Sequence, residues 1–254
     1  MIKKILFFSY GGFAYVAFLG TFLYAIGFIA NFATPTALDG PATAPFLSAL
    51  AIDAGLLALF AVQHSVMARR WFKKRWTMVV PKPIERSTYV LFSSLALILL
   101  FLEWRPMGVV IWSIEEPLAA AILRGLFAFG CGLVFVATLL INHFDLFGLR
   151  QVWLYLRDRP YTPLRFRTPG PYRFVRHPLY VGWLFAFWMT PTMTGAHLVF
   201  AAATTAYILL AIRWEERDLV TEHGAAYEEY RRSVPMLIPR PAGKDPAAQI
   251  ARRA

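Results

Sequence analysis

The stretch Gly170-Pro-Tyr-Arg-Phe-Val-Arg-His-Pro-Leu-Tyr-Val-Gly182 joins a basic loop to an apolar segment. It carries two arginines, a histidine and two tyrosines, and Pro178 suits the first turn of a helix, where its missing N–H is harmless. A second polar cluster, Glu215-Glu-Arg-Asp218, follows the next hydrophobic hairpin. Because charged groups at this depth are costly, their convergence predicts a functional site. Cations, imidazole and carboxylates together suit a zwitterionic ligand that carries a carboxylate, an amino group and a ribose.

Both clusters also have a structural explanation. Arginines are common at the cytoplasmic edge of membrane helices, and Glu215 and Glu216 would form local ion pairs with Arg213 and Arg217 at a solvated helix end. Edge anchoring does not explain His177 or the Pro-x-Tyr-x-Gly step that follows it. An anion near that helix start would meet arginine, histidine and free backbone N–H groups together, which favours a ligand site.

Long apolar runs dominate the chain, which has 254 residues, 58% of them hydrophobic. Soluble domains are usually less apolar, and several runs are long enough to span a bilayer. The predicted spans are Phe7–Ile29, Phe46–Met67, Thr88–Trp104, Leu118–Ile141 and the shorter Leu179–Thr190 and His197–Ile212. The sequence therefore predicts an all-α integral membrane protein with five to six transmembrane helices. The last two form a short helical hairpin, turned at Pro191–Gly195, and a cytoplasmic C-terminal helix follows over Leu219–Arg232.

The formal net charge of +11 follows the predicted topology. Of 26 lysines and arginines, 24 lie before the first span, in Arg69–Arg86, in Arg150–Arg176 or from Arg213 onward. This positive-inside pattern predicts that both termini and the site face the cytoplasm. It argues against a nucleic-acid partner and for the lipid bilayer, since Trp71 and Phe72 lie among the cations of an interfacial segment.

Cys131, in the fourth span, is the single cysteine of the chain. One thiol excludes an internal disulfide framework and a multi-thiolate metal site, and no other ligand set indicates a metal. We expect one domain over residues 1–254, in which residues 1–117 form a transmembrane scaffold. Residues 118–239 are the predicted cofactor-binding and catalytic half, and residues 240–254 a loose polar tail.

Three elements occur in order within residues 142–239: the Gly-Pro-Tyr-Arg-x-x-Arg-His-Pro-x-Tyr-x-Gly motif, the Glu-Glu pair, and Tyr227-x-x-Tyr-x-x-x-Val-Pro-x-x-Ile-Pro239. With them the chain resembles the isoprenylcysteine carboxyl methyltransferase superfamily of integral membrane enzymes. The usual Phe-Gly before the tyrosine pair is His223-Gly224, a small departure. Within the superfamily, the chain is most similar to bacterial methanethiol S-methyltransferases. That similarity covers nearly the whole chain and lies in Gln63–Arg69, Glu85–Tyr89 and Asn142–Gln151.

The resemblance implies S-adenosylmethionine as the cofactor and the bacterial inner membrane as the location. It implies that Arg176, His177 and Tyr180 hold the methionine end of the cofactor and that Glu215 or Glu216 contacts it. The full set of predicted cofactor-binding residues is Tyr172, Arg173, Arg176, His177, Tyr180, Glu215, Glu216 and Gln151. The sequence has no Gly-x-Gly-x-x-Gly between a strand and a helix, which argues against a soluble Rossmann-type methyltransferase.

The implied reaction is in-line methyl transfer to a small thiol, methanethiol, which gives dimethyl sulfide. The nucleophile is the thiolate, and a free thiol with a pKa of about 8.5 or higher is mostly protonated at neutral pH, so the site needs a base. His143, oriented by Asp145, is the first predicted base and His64 the second. Arg86 and Tyr89 are expected to line the substrate pocket. Either histidine could instead be satisfied by backbone or water at the interface.

Two further charges lie within predicted spans near the opposite surface. Asp53 is seven residues in from the outer end of the second span, and Arg124 is six in from that of the fourth. At about 1.5 Å per residue both lie about 10 Å below the surface. Because an isolated charge is expensive there, we expect the two to form a structural ion pair.

Two alternatives stay open on the sequence alone. The first keeps the chemistry and changes the acceptor to a larger thiol, a prenylcysteine carboxylate or a lipid amine. The second is a non-catalytic membrane protein related to nitric-oxide-reduction accessory proteins, which share the second-span histidine. Cofactor binding separates the second alternative from both enzymes.

Overall fold

The computed structural model describes residues 1–239, and their regular structure is almost entirely helical. The helices are α1 (Ile2–Ala30), α2 (Phe46–Ala68), α3 (Arg70–Trp76), α4 (Lys82–Glu103), α5 (Pro117–Ile141), α6 (His143–Leu146), α7 (Leu149–Leu156), α8 (Pro178–Trp188), α9 (Gly195–His223) and α10 (Ala225–Ser233). By length and composition, five of them can cross a membrane: α1, α2, α4, α5 and α9. The chain is a multi-pass membrane protein, and the prediction of an all-α membrane fold is confirmed. The predicted loose tail, residues 240–254, lies outside the described residues.

The apolar helices alternate in direction and give the bundle two different ends. At one, which we name the sheet end, the short strands β1 (Val110–Ser113) and β2 (Thr192–Thr194) pair antiparallel. We name the opposite end the basic end, because the cationic segments around Arg69 and Arg176 lie there. The two-stranded sheet was not predicted, since its second strand lies within the expected turn of the last hairpin.

The apolar core is built around aromatic contacts between helices. The ring of Phe28 lies 4.9 Å from that of Phe101 and 6.2 Å from that of Trp104. Trp104 in turn packs edge-on against Phe200 at 5.7 Å. These contacts join α1, α4 and α9 into one core.

A buried polar contact fixes the last hairpin at the sheet end. The carboxylate of Asp39, in the loop after α1, accepts hydrogen bonds from Thr194 and, at 2.9 Å, from Nδ1 of His197. Nε2 of the same imidazole lies 2.9 Å from the carbonyl oxygen of Phe187 at the end of α8. The imidazole thus has an oxygen partner at each ring nitrogen, and these contacts hold α8, β2 and α9 to the α1 loop.

The last hairpin differs from the predicted one, because only its first member is short. α8 has 11 residues, whereas α9 has 29 and ends at His223, just before Gly224, whose φ is 57°. At about 1.5 Å per residue α9 is about 44 Å long, more than the roughly 30 Å of a hydrocarbon core. The predicted C-terminal helix is present as α10, but it begins at Ala225 and not at Leu219, because Leu219–His223 continue α9.

The predicted ion pair between Asp53 and Arg124 is also wrong. Asp53 is fully buried, and its Oδ1 accepts the backbone N–H of Arg105 at 2.9 Å, just after α4. Arg124 is exposed on α5. The reason is the packing, since α2 lies against α4 and α9, so the end of α4 supplies the nearest donor.

Two glycines bring α8 against α5. A Cβ on Gly130 would lie 2.6 Å from the carbonyl oxygen of Gly182, and a Cβ on Gly182 would lie 2.6 Å from the carbonyl oxygen of Gly130. Only glycine permits such an approach of the two backbones. This contact fixes α8 and therefore His177 and Tyr180 at its beginning.

Gly130→Ala is expected to lower thermal stability, because the new methyl group forces α5 and α8 apart. Overpacking of this kind costs about 1–3 kcal/mol. Gly132→Ala is the matched control on the same helix, because nothing lies within 4 Å of its added Cβ. Thermal unfolding of both variants in detergent tests this, and equal midpoints would contradict the close helix contact.

Candidate functional site

Two segments distant in sequence build a polar cluster at the basic end. Oε1 of Glu216 accepts a hydrogen bond from Nε of Arg176 at 2.7 Å and lies 3.1 Å from Nε2 of His177. The Tyr180 hydroxyl donates to Oε2 of Glu215 at 3.0 Å. The structure thus brings together five predicted cofactor-binding residues, which we name the carboxylate cluster: Arg176, His177, Tyr180, Glu215 and Glu216.

The segment after α10 holds the turn that carries this cluster. The backbone N–H groups of Arg176 and His177 donate to the carbonyl oxygens of Pro235 at 2.9 Å and Met236 at 3.2 Å. Nη1 of Arg176 also donates to the carbonyl oxygen of Val234. The Val-Pro-x-x-Ile-Pro pattern therefore acts as a clamp on the turn before α8.

The two glutamates have different surroundings. The Glu216 side chain is 13% exposed, and one of its oxygens serves both Arg176 and His177. The Glu215 side chain is 45% exposed, and among the described residues its Oε1 has no hydrogen-bond partner. Glu216 is thus engaged within the protein, whereas Glu215 offers a free oxygen to a ligand.

Tyr227 of α10 lies beside the cluster and is 1% exposed. In the described part of the chain its buried hydroxyl has no hydrogen-bond partner. Burial, Glu216 and Glu215 raise the pKa of this phenol, so it is protonated at neutral pH. Tyr230, by contrast, donates to the carbonyl oxygen of Tyr172 at 2.6 Å. The sequence signal for Tyr227 is the Tyr-x-x-Tyr spacing, which places both rings on one helix face.

A second polar group, which we name the His64 group, consists of His64, Tyr89 and Ser93. The Tyr89 hydroxyl lies 2.8 Å from Nε2 and 3.0 Å from Nδ1 of His64, and the Ser93 hydroxyl lies 3.1 Å from Nδ1. Phe60 stacks on the imidazole at 5.2 Å. The structure thus brings one predicted base into contact with one predicted pocket residue.

Tyr207 of α9 lies between the two polar groups. Its hydroxyl is 3.0 Å from that of Ser65, and its ring packs edge-on against Phe60 at 6.3 Å. Tyr207 and Tyr89 are both close enough to Tyr180 to interact with it electrostatically. The site therefore continues across α2, α4, α8 and α9. Tyr207 was not predicted, because it lies in an apolar run without a motif.

Arg86 lies one helical turn before Tyr89 on α4. Its charge acts on Tyr89 and on Tyr161, which lies in the long segment after α7. Arg86 and Tyr89 thus lie on the same stretch of α4, and their role in lining the substrate pocket stays a prediction.

The predicted pair of His143 and Asp145 does not form. Nδ1 of His143 lies 2.8 Å from the Thr138 hydroxyl and Nε2 lies 2.9 Å from the Tyr15 hydroxyl, and burial lowers the pKa of the imidazole. Asp145 binds Nη1 of Arg150 at 2.8 Å. The expectation that the carboxylate orients the imidazole is wrong, because positions two apart on the short helix α6 do not face each other.

Of the three remaining residues predicted to bind the cofactor, one lies beside the carboxylate cluster and two do not. Tyr172 is buried and close enough to Glu215 to interact with its charge, so it belongs beside the carboxylate cluster. Gln151 donates instead to the carbonyl oxygen of Asp145 at 3.1 Å, on a helix packed against α1 and α4. Arg173 is exposed and makes no side-chain hydrogen bond within residues 1–239. The structure does not bring Gln151 or Arg173 to the cluster.

An apolar groove of about 500 Å³ adjoins the clamp. Its walls are α8 and the segment that follows α10, and its lining residues are Val181, Leu184, Phe185, Pro235, Met236, Leu237 and Ile238. The carboxylate cluster therefore has an apolar surface directly beside it.

Comparison with curated proteins gives clear relatives. The chain is 60% identical over 230 residues to methanethiol S-methyltransferase of Crocosphaera subtropica, which covers 91% of this chain and 90% of that protein. It is 49% identical over 240 residues to methanethiol S-methyltransferase of Mycobacterium tuberculosis, covering 94% and 98%. Nurim of Homo sapiens is 34% identical over 182 residues, covering 68% and 69%. No family model and no solved structure matches the chain.

Glu216→Gln is expected to lower the unfolding midpoint more than Glu215→Gln. Hydrogen bonds to charged groups contribute about 1.5–3 kcal/mol, and the change leaves the mostly buried Arg176 without its counter-charge. Glu215 loses only part of a contact to Tyr180. Thermal unfolding in one detergent compares the two variants, and a larger loss for Glu215→Gln would contradict the inward role of Glu216.

Proposed function

The chain belongs to the methanethiol S-methyltransferase family, and we propose that it methylates methanethiol to dimethyl sulfide with S-adenosylmethionine as the methyl donor. Membership in this family supports methanethiol as the methyl acceptor. It disfavours a prenylcysteine or a lipid as the acceptor, and it disfavours a non-catalytic role. The observation that carries the proposed donor is the carboxylate cluster, since its donors and acceptors match a charged amino acid.

The residues of the cluster fit the two charges of an amino-acid group. Arg176 and His177, both fixed by Glu216, offer hydrogen-bond donors to a carboxylate. Glu215, with a free oxygen and an exposed side chain, offers an acceptor to an ammonium or a ribose diol. When bound, S-adenosylmethionine supplies a methyl group activated by its sulfonium charge. We therefore assign the cofactor contact to Glu215 and a positioning role to Glu216.

We assign the role of the general base that removes the thiol proton to His64 and not to His143. Hydroxyl contacts do not separate the two histidines, because both imidazoles face hydroxyl groups through both nitrogens. The His143 ring is enclosed by Phe147 and Phe144, which pack edge-on against it at 4.8 and 5.6 Å. His64 stacks on Phe60, which packs against Tyr207, and both Tyr207 and Tyr89 are close enough to Tyr180 of the carboxylate cluster to interact with it electrostatically. In this mechanism the imidazole takes the S–H proton, Tyr89 holds the ring, and the charge of Arg86 favours the thiolate.

We place the enzyme in a bacterial inner membrane with both termini and the site on the cytoplasmic side. The support is the concentration of lysine and arginine on alternate loops. Curated bacterial relatives over most of the chain agree with a bacterial membrane.

The test is headspace gas chromatography on detergent-purified protein given S-adenosylmethionine and methanethiol. We expect dimethyl sulfide from the wild type and at least a tenfold loss in His177→Ala, because that variant lacks one donor of the cluster. Binding of S-adenosylmethionine measured by calorimetry separates the outcomes. Binding without product would contradict the acceptor, and product without S-adenosylmethionine would contradict the donor.

His64→Gln is expected to lower kcat by about 10²-fold or more at neutral pH, the usual contribution of a general base. Raising the pH should restore part of the rate, because the thiol then ionises without a base. His143→Gln is the matched control and should change the unfolding midpoint more than the pH profile. A pH-dependent loss in His143→Gln but not in His64→Gln would reverse the assignment.

A further inference from the structure

We infer that Tyr227 is a cofactor-binding residue whose hydroxyl donates a hydrogen bond to an oxygen of the ligand held by the carboxylate cluster. This inference rests on the proposed function and adds a ligand-binding residue to it. The sequence pattern contains the tyrosine pair, about ten residues beyond Glu215 and Glu216 on a separate helix, but no cofactor contact was predicted for Tyr227.

The first argument is the unpaired state of the hydroxyl. Buried polar groups almost always have a hydrogen-bond partner, because leaving one unpaired forfeits its contacts with water. The Tyr227 hydroxyl is buried and, within residues 1–239, has none. Phenylalanine would fill the same space without that loss, so a tyrosine at this position indicates a partner that binds from outside the chain.

The second argument is location. Glu216, Glu215 and Arg176, three members of the carboxylate cluster, are close enough for their charges to shift the pKa of the Tyr227 phenol. The Phe166 ring packs edge-on against the Tyr227 ring at 5.7 Å. The Tyr230 ring, one turn further along α10, lies 5.8 Å from the Tyr227 ring. These rings fix the position of the phenol. A hydrogen-bond partner for its hydroxyl would therefore have to bind at the carboxylate cluster.

The third argument is the direction of the hydrogen bond. Burial, Glu216 and Glu215 raise the pKa of the Tyr227 phenol, so its hydroxyl is protonated at neutral pH and can act as a donor. A donor beside Arg176 suits an oxygen of the ligand carboxylate or of its ribose. Glu216 is already engaged with Arg176 and His177, so it leaves the Tyr227 hydroxyl available to the ligand.

The test compares Tyr227→Phe with wild type by calorimetry of S-adenosylhomocysteine binding and by thermal unfolding. We expect the Kd to rise about threefold to tenfold, the range for one hydrogen bond. We expect the unfolding midpoint without ligand to stay equal or to rise, because the variant removes an unpaired group.

Tyr230→Phe is the matched control one turn away on α10. It removes the hydrogen bond to the Tyr172 carbonyl oxygen, so its midpoint should fall. The ratio of the change in Kd to the change in midpoint therefore separates a ligand contact from a structural one.

Two results would overturn the inference while the proposed donor stands: an unchanged Kd in Tyr227→Phe, or a midpoint that falls as far as in Tyr230→Phe. If the wild type binds neither S-adenosylhomocysteine nor S-adenosylmethionine, the proposed donor and the role of Tyr227 fail together.

Discussion

The site depends on one contact, that of the Glu216 carboxylate with Arg176 and His177. It fastens the basic end of α9 to the turn before α8, two segments separated by an entire helical hairpin. Charges in a largely apolar bundle need partners, because a lone buried charge is strongly destabilising. The hydrogen bond from Tyr180 to Glu215 joins the same two segments, and the segment after α10 clamps the same turn. The cluster is therefore a single unit, not a set of independent side chains.

The unequal lengths of α8 and α9 explain how polar and apolar ligands can meet. α8 has 11 residues, about 17 Å, or roughly half of a hydrocarbon core. The contact of His197 with the Phe187 carbonyl oxygen fixes its far end at the sheet end of the bundle. His177 consequently lies deeper than the end of α9, at a depth surrounded by apolar helices. The proposed charged cofactor at the basic end and the proposed apolar thiol would both be able to approach that level.

The fold and the carboxylate cluster were largely predictable because each depends on a strong local signal. Apolar run length sets the spans, and the ordered motif sets the turn before α8 and the glutamate pair. The predicted end of the last span at Ile212 failed because hydropathy ends there while helical backbone continues to His223. The Asp145 partner of His143 and the Arg124 partner of Asp53 failed because both depend on which helices are neighbours. Tyr207 gave no signal, since a single tyrosine in an apolar run is indistinguishable from core.

The pair Glu215-Glu216 illustrates why two adjacent carboxylates serve a site better than one. Neighbouring helical residues point about 100° apart, so one side chain can face the protein while the other faces the ligand. Glu216, 13% exposed, faces inward and neutralises the cations that would otherwise repel an ammonium group. Glu215, 45% exposed, keeps an oxygen free. A single glutamate could either hold Arg176 in place or accept a hydrogen bond from the proposed cofactor, but not both, so the cluster would lose either its geometry or its free acceptor.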